Sequence, residues 1–134
     1  MIHVVHAVAS DGFAGVERFV TRLAGAQARA GHRVLVCGGP PARMRAELPD
    51  GVDYRPAGGV LGVARVLADR HRADVVNVHM TAAELAALLG HLARAARGWR
   101  PVPVVATRHF ALVRAVGSGR LGPPSARAIS PQIT

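Results

Sequence analysis

An apolar run from Ile2 to Val8 passes through a glycine-containing turn, Asp11-Gly12-Phe13-Ala14-Gly15-Val16-Glu17-Arg18, into a segment with helical periodicity. Its apolar residues Val16, Phe19, Val20, Leu23 and Ala24 recur three or four apart, the spacing of one helix face. A strand feeding a helix through such a turn aims free backbone N–H groups and the positive end of the helix dipole at one spot, which suits an anion. Glycine fits there because it has no Cβ to block a ligand and accepts positive φ at little steric cost. Strand-to-helix turns also use glycine for geometry alone, so the motif constrains the fold more firmly than the function.

The alternation continues along the chain. Strands are expected near residues 2–8, 33–37, 52–55, 74–79, 102–107 and 126–130, and helices near 15–30, 41–47, 60–72 and 81–97. The helix at 81–97 has strong boundary signals: Thr81 with Glu84 reads as a capping box, Arg94 and Arg97 fall in the last turn, Gly98 closes it and Pro101 follows. Asp74-Val75-Val76-Asn77-Val78 and Val102-Pro103-Val104-Val105-Ala106 alternate little, as expected of parallel strands covered on both faces. The fold class is α/β: a doubly wound, mostly parallel sheet with helices on both faces, Rossmann-like. Pro40-Pro41 and the stretch Gly117 to Pro124 read as loops, the second long enough for a flap.

At 134 residues, half of them hydrophobic, the chain reads as one globular domain. Its formal charge of +9 comes from 17 arginines and no lysine against 8 acids. Such a balance favours nucleic acid or peripheral association with an anionic membrane surface. Trp99, Tyr54 and three phenylalanines are too few and too dispersed for a base-stacking platform, so nucleic acid is not the expected partner. The single Cys37 reads as a small buried residue, which fits a reducing cytoplasm. Ala7-Val8-Ala9 imitates a signal-peptidase site, but the apolar stretch before it is short, broken by His3 and His6, and has no basic leader. Ala82 to Ala96 contains Glu84, His91 and Arg94 and is shorter than the roughly 20 residues of a membrane span.

In a doubly wound sheet, ligands bind beyond the carboxyl ends of the strands where strand order reverses. His79 ends the fourth strand and His109 follows the fifth, so both are expected beside the turn at residues 9–15 if those strands lie next to the first. His3 reads as a core histidine with a satisfied hydrogen bond, His6 is ambiguous, and His32 reads as a structural turn residue. His71 and His91 read as solvated or packing residues on helices. No Cys, Asp or Glu stands at metal-ligand spacing beside His79 and His109, so neither a metal nor another cofactor is expected. A Gly-x-Ser-x-Gly elbow, a Cys–His signature and a P-loop lysine are likewise missing from the sequence.

Five segments in order resemble the N-terminal domain of family-4 glycosyltransferases of the GT-B fold. They are Gly12-Phe13-Ala14-Gly15-Val16-Glu17-Arg18, Ala30-Gly31-His32-Arg33-Val34, Ala73-Asp74-Val75-Val76 with His79, Val104-Val105-Ala106-Thr107-Arg108-His109, and Ala128-Ile129-Ser130. The resemblance implies a retaining, metal-independent, hexosyltransferase-like reaction from a nucleotide-sugar donor to a sugar acceptor, with this domain on the acceptor side. It implies that Gly15 approaches the donor phosphate or the acceptor and that His109 positions the reacting groups as the catalytic residue. Gly12, Phe13, His79, Thr107 and Arg108 are the implied substrate-binding residues. Ala14 stands where the family has the first glycine of a Gly-Gly pair.

Ser130 and Pro131 read as an N-cap and first helical position, with only Gln132, Ile133 and Thr134 beyond them. The expectation is an incomplete N-terminal half of a GT-B fold, truncated at its C-terminal end and inactive alone. A C-terminal donor-binding half in cis or in trans would complete it. The alternative is a non-catalytic binding or assembly module that retains the half-scaffold.

Overall fold

The computed structural model of the chain describes residues 1–69 and 72–109. Along these the elements are β1 (His3–Val8), α1 (Gly15–Arg29), β2 (Arg33–Gly38), α2 (Pro41–Glu47), β3 (Val52–Arg55), α3 (Gly59–Ala68), β4 (Val75–His79), α4 (Thr81–Ala96) and β5 (Val104–Thr107). The strand expected at 126–130, the loop at 117–124, the helix start at Ser130 and His71 lie outside the described residues.

The five strands form one parallel sheet in the order β3-β2-β1-β4-β5. The chain winds outward from β1 through β2 to β3, then crosses back and winds the other way through β4 to β5. This reversal makes the gap between β1 and β4 the topological switch point. Strand register sets the ends level: Val8 is paired with both Gly38 and His79, and His79 is paired with Thr107. The loops that leave those four residues therefore meet along one rim.

Side-chain alternation divides the core in two. Val5, Ala7, Leu35, Cys37, Val76 and Val78 face α3 and α4, where they meet Val63, Leu67, Ala83 and Ala86. Val8, Val34 and Val36 face α1 and α2 and meet Val20, Ala24 and Met44. Cys37 is fully buried, and desolvation pushes its thiol up to about 12, so it is a packing residue, not a nucleophile.

Several boundaries differ from expectation for identifiable reasons. The third helix ends at Ala68, where Arg94 Nη1 donates to the Asp69 carbonyl at 2.6 Å and Arg97 Nη1 to the Ala68 carbonyl at 3.1 Å. Those two arginines thus close the C-terminus of α3 as well as marking the end of their own helix. Gly98 N–H and Trp99 N–H bond back to the Ala95 and Arg94 carbonyls, the expected stop of α4. The capping box at Thr81 does not form. Met80 is the N-cap of α4, at φ 74° and without a side-chain cap bond, while Glu84 pairs with Arg108. β4 and β5 start one and two residues later than expected. β5 is not covered on both faces, since Val104 and Val105 are 40% and 52% exposed. In α1, Val20, Thr21, Ala24 and Gly25 form the buried stripe, and Phe19 is exposed.

Gly38 ends β2 at φ 91°, and a Cβ there would lie inside van der Waals contact of the Val8 carbonyl oxygen. Gly51 has a similar φ of 88° with nothing within 4 Å of its Cβ position. Gly51→Ala should therefore cost about 1 to 2 kcal/mol, the left-handed backbone penalty alone. Gly38→Ala should cost about 3 kcal/mol or more, because backbone must also move. Urea unfolding of both variants measures the difference, and equal losses would show that the rim between β1 and β2 tolerates displacement.

Candidate functional site

The turn after β1 is built around Glu17. Its carboxylate is buried at the start of α1, where Oε2 accepts the Ala14 N–H at 2.8 Å and Oε1 accepts the Ser10 hydroxyl. Glu17 thus ties both limbs of the turn to the helix and places a negative charge where the dipole favours one. The first intrahelical bond runs from Arg18 N–H to the Ala14 carbonyl. The N–H groups of Gly15, Val16 and Glu17 consequently point out of the helix end. Neither Gly12 nor Gly15 has positive φ, so the conformational reason for glycine does not apply at either position. What both offer is space, with nothing within 4 Å of either Cβ position.

Between this turn and the end of β4 lies a cavity of about 340 Å³, lined by Ser10, Gly12, Val16, Glu17, His79 and Met80 among others. A hollow of about 400 Å³ on the flank of α1, lined by Arg18, Arg22, Arg29 and Glu47, is larger but far from the strand ends. The smaller cavity sits at the switch point, and His79 lines it.

His79 belongs to a line of side chains on the α1 side of the sheet. His6 in β1 is fully buried, and its Nε2 lies 2.7 Å from Gln27 Oε1 on α1. His6 Nδ1 lies 3.0 Å from His79 Nε2, and His79 Nδ1 lies 3.0 Å from His109 Nε2. The His79 and His109 rings stack with centroids 5.3 Å apart, and Phe19 meets the His109 ring edge-on at 4.7 Å. His6 is depressed below the ordinary histidine range by burial, opposed by its bond to Gln27. His79 is pushed down to about 3, by burial first and then by the neighbouring His6 and His109. The buried rings are therefore neutral.

The match to a family model described as Glycosyltransferase Family 4 covers residues 13–130, nearly all of the chain. The chain belongs to glycosyltransferase family 4. Neither a search of curated proteins nor one of solved structures gave a match. The parallel sheet with its two helix layers is the Rossmann-like half of a GT-B fold, and the chain is a glycosyltransferase domain.

The fold brings His79 and His109 of this glycosyltransferase domain together beside the turn, as strand order requires. Thr107 sits one strand over, where its hydroxyl donates to Asn77 Oδ1 at 2.8 Å. Arg108 is exposed and grips Glu84 through Nε and Nη2 at 3.1 and 3.3 Å, holding the segment after β5 against α4. Gly12 lines the cavity, Gly15 opens α1 beside it, and Phe13 turns toward α2, where the Arg43 guanidinium lies 4.7 Å over its ring. His3 accepts no role at the rim: its Nδ1 bonds the Arg72 carbonyl at 2.7 Å, at the opposite end of β1. His32 Nδ1 accepts the Ile2 N–H, and His91 is half-buried on α4. Among the described residues no three His, Cys, Asp or Glu side chains converge as metal ligands would. No helix is long and apolar enough to cross a membrane among the described residues.

The sequence reading missed Gln27, Glu17 as a carboxylate anchor, and the place of His6. One signal was available: His6 lies on the same sheet face as Val8 and Val4, and Asn77 and His79 share that face in the neighbouring strand. Polar residues at adjacent positions on one buried face mark a seam.

A neutral buried His79 fixes the sign of an acid effect. Below about 6.5 the unfolded chain takes up a proton that the folded chain refuses down to about 3. Stability is thus complete at neutral pH and falls on acidification. His79 alone should remove about 1 to 2 kcal/mol by about pH 5, read by urea unfolding at both pH values, and His79→Asn should flatten the slope. Unchanged wild-type stability over that interval would mean that the rings are not buried as neutral imidazoles.

Proposed function

We propose that this domain forms the acceptor side of a retaining, metal-independent hexosyl transfer from a nucleotide-sugar donor, the donor being held mainly by a C-terminal half in cis or in trans. The observation that carries the reading is the meeting, at the switch point of a family-4 domain, of the Gly12–Gly15 turn, the open end of α1 and His79, with His109 bonded to His79. The glycines let a sugar or phosphate approach the backbone, and the N–H groups of the first turn of α1 receive its oxygens. His109 orients the reacting hydroxyl and steadies developing charge, with His79 in the cavity wall and Thr107, Arg108 and Phe13 as further substrate contacts from the neighbouring segments. A retaining transfer can use the leaving phosphate to accept the proton, so His109 need not be the nucleophile or sole base. Reaction in the cytoplasm fits the reduced, buried Cys37. Arg18, Arg22 and Arg29 on the flank of α1 favour peripheral contact with an anionic membrane.

The test is transfer across a panel of nucleotide sugars and acceptors, with the donor-binding half present. There His109→Ala should lower kcat/KM by about ten- to a thousandfold, or roughly 1.4 to 4 kcal/mol, with melting temperature little changed. Full activity in that variant removes His109 from the site. Gly15→Val should weaken acceptor or donor binding far more than folding, since its Cβ meets open space. A loss of stability in proportion to the loss of affinity would assign this glycine to the turn alone.

A further inference from the structure

Each neutral imidazole carries one N–H and one lone pair. In the line Gln27–His6–His79–His109, three contacts use five of the six ring nitrogens. Gln27 Oε1 can only accept, so His6 Nε2 must donate to it and His6 Nδ1 is left as a lone pair. That lone pair accepts from His79 Nε2–H, which makes His79 Nδ1 an acceptor in turn. His109 Nε2–H then donates to His79, and His109 Nδ1 is left bare, with no partner among the described residues. One amide on α1 thereby settles the state of a ring two strands away.

We infer that Gln27, His6 and His79 are positioning residues that fix the tautomer and orientation of His109, so that its Nδ1 presents a lone pair to a hydroxyl-bearing ligand at the rim. The inference rests on the site reading given above for His109 and deepens it. A neutral acceptor nitrogen attracts a sugar hydroxyl and gives no hydrogen bond to a phosphate oxygen. The line transmits orientation but does not shuttle protons inward. Burial and the flanking rings oppose positive charge on His79, which blocks transfer through that ring. Phe19, edge-on to His109, limits the ring's remaining freedom from the α1 side.

Nitrogen-15 NMR of the imidazoles in the full chain tests this without any substrate. His109 should be an Nε2–H tautomer, and two-bond N–N couplings should appear across His79 Nε2–His6 Nδ1 and His109 Nε2–His79 Nδ1. Gln27→Glu keeps an obligate acceptor and should preserve the pattern. Gln27→Met keeps the length and removes the acceptor, and should weaken or abolish the coupling at His109 and bring its ring into tautomer exchange. Gln27 is half-buried on a helix, so neither change empties the core. An Nδ1–H tautomer at His109 in the wild-type chain overturns the inference, as does a His109 signal that Gln27→Met leaves untouched while His6 moves. With the donor half present, Gln27→Met should lower kcat at nearly constant KM, with Gln27→Glu restoring it. The expected NMR pattern in a protein that transfers no sugar would retain the relay and remove the catalytic reading. Transfer that depends on His109 with the NMR pattern absent would do the reverse.

Discussion

Parallel pairing on both edges of β1 is the constraint from which the rest follows. Val4, Val5, His6, Ala7 and Val8 are all buried, with β2 on one side, β4 on the other and a helix layer on each face. A strand so enclosed exposes neither ladder groups nor side chains along its length, and the chain can present chemistry only where it emerges. It emerges at Val8, level with Gly38, His79 and Thr107, and the crossovers to β2 and to β4 depart in opposite directions. The crevice is thus a consequence of winding order. Small residues on the α3/α4 side, among them Ala83, Ala86 and Ala87, let that layer approach closely and hold the switch point rigid from below.

The two faces of the sheet differ in chemistry. Toward α3 and α4 the buried strand positions are aliphatic apart from Cys37, whereas toward α1 they include His6 and His79, with half-buried Asn77 on the same face. An aliphatic residue at each of these sites would contribute about 1.5 to 3 kcal/mol from burial. An imidazole left without partners would instead cost about 1 to 3 kcal/mol per unsatisfied group. Linking the rings end to end avoids that cost with a minimum of added polar groups, since one glutamine closes the inner end. Among the described residues, the outermost nitrogen alone is left without a partner. A buried polar line that ends at the rim of a crevice is what a preorganised site requires of its supporting residues.

Most of the fold was legible because parallel strands and amphipathic helices leave one-dimensional signatures. The strand–turn–helix unit at the N-terminus, the order of elements and the convergence of His79 and His109 all follow from period and topology. Gln27 did not stand out, since a polar residue on an amphipathic helix looks solvated until the crossing of α1 over β1 is known. His6 was ambiguous for the related reason that its partner lies 73 residues away. Thr81 and Glu84 satisfied a capping pattern that tertiary structure overrode: Met80 N–H is taken by the Thr107 carbonyl, and Arg108 captures Glu84. Val104 and Val105 read as buried from apolarity alone, but burial in a sheet also depends on what lies beside the strand.

The charge arrangement at the rim bears on what this wall can hold. An empty helix N-terminus is an anion site, but Glu17 places its own carboxylate within the first turn of α1 and takes up the Ala14 N–H. The positive end of the dipole is thereby largely neutralised before a ligand arrives. The exposed guanidinium of Arg108 is engaged by Glu84. Met80, held at positive φ between β4 and α4, aims its side of the cavity with a backbone geometry that a non-glycine residue adopts only under constraint. What remains at the crevice is three backbone N–H groups, open space over two glycines and the His109 imidazole. That set suits the hydroxyls of a sugar better than the concentrated charge of a diphosphate, which supports the acceptor side as this domain's share of the reaction.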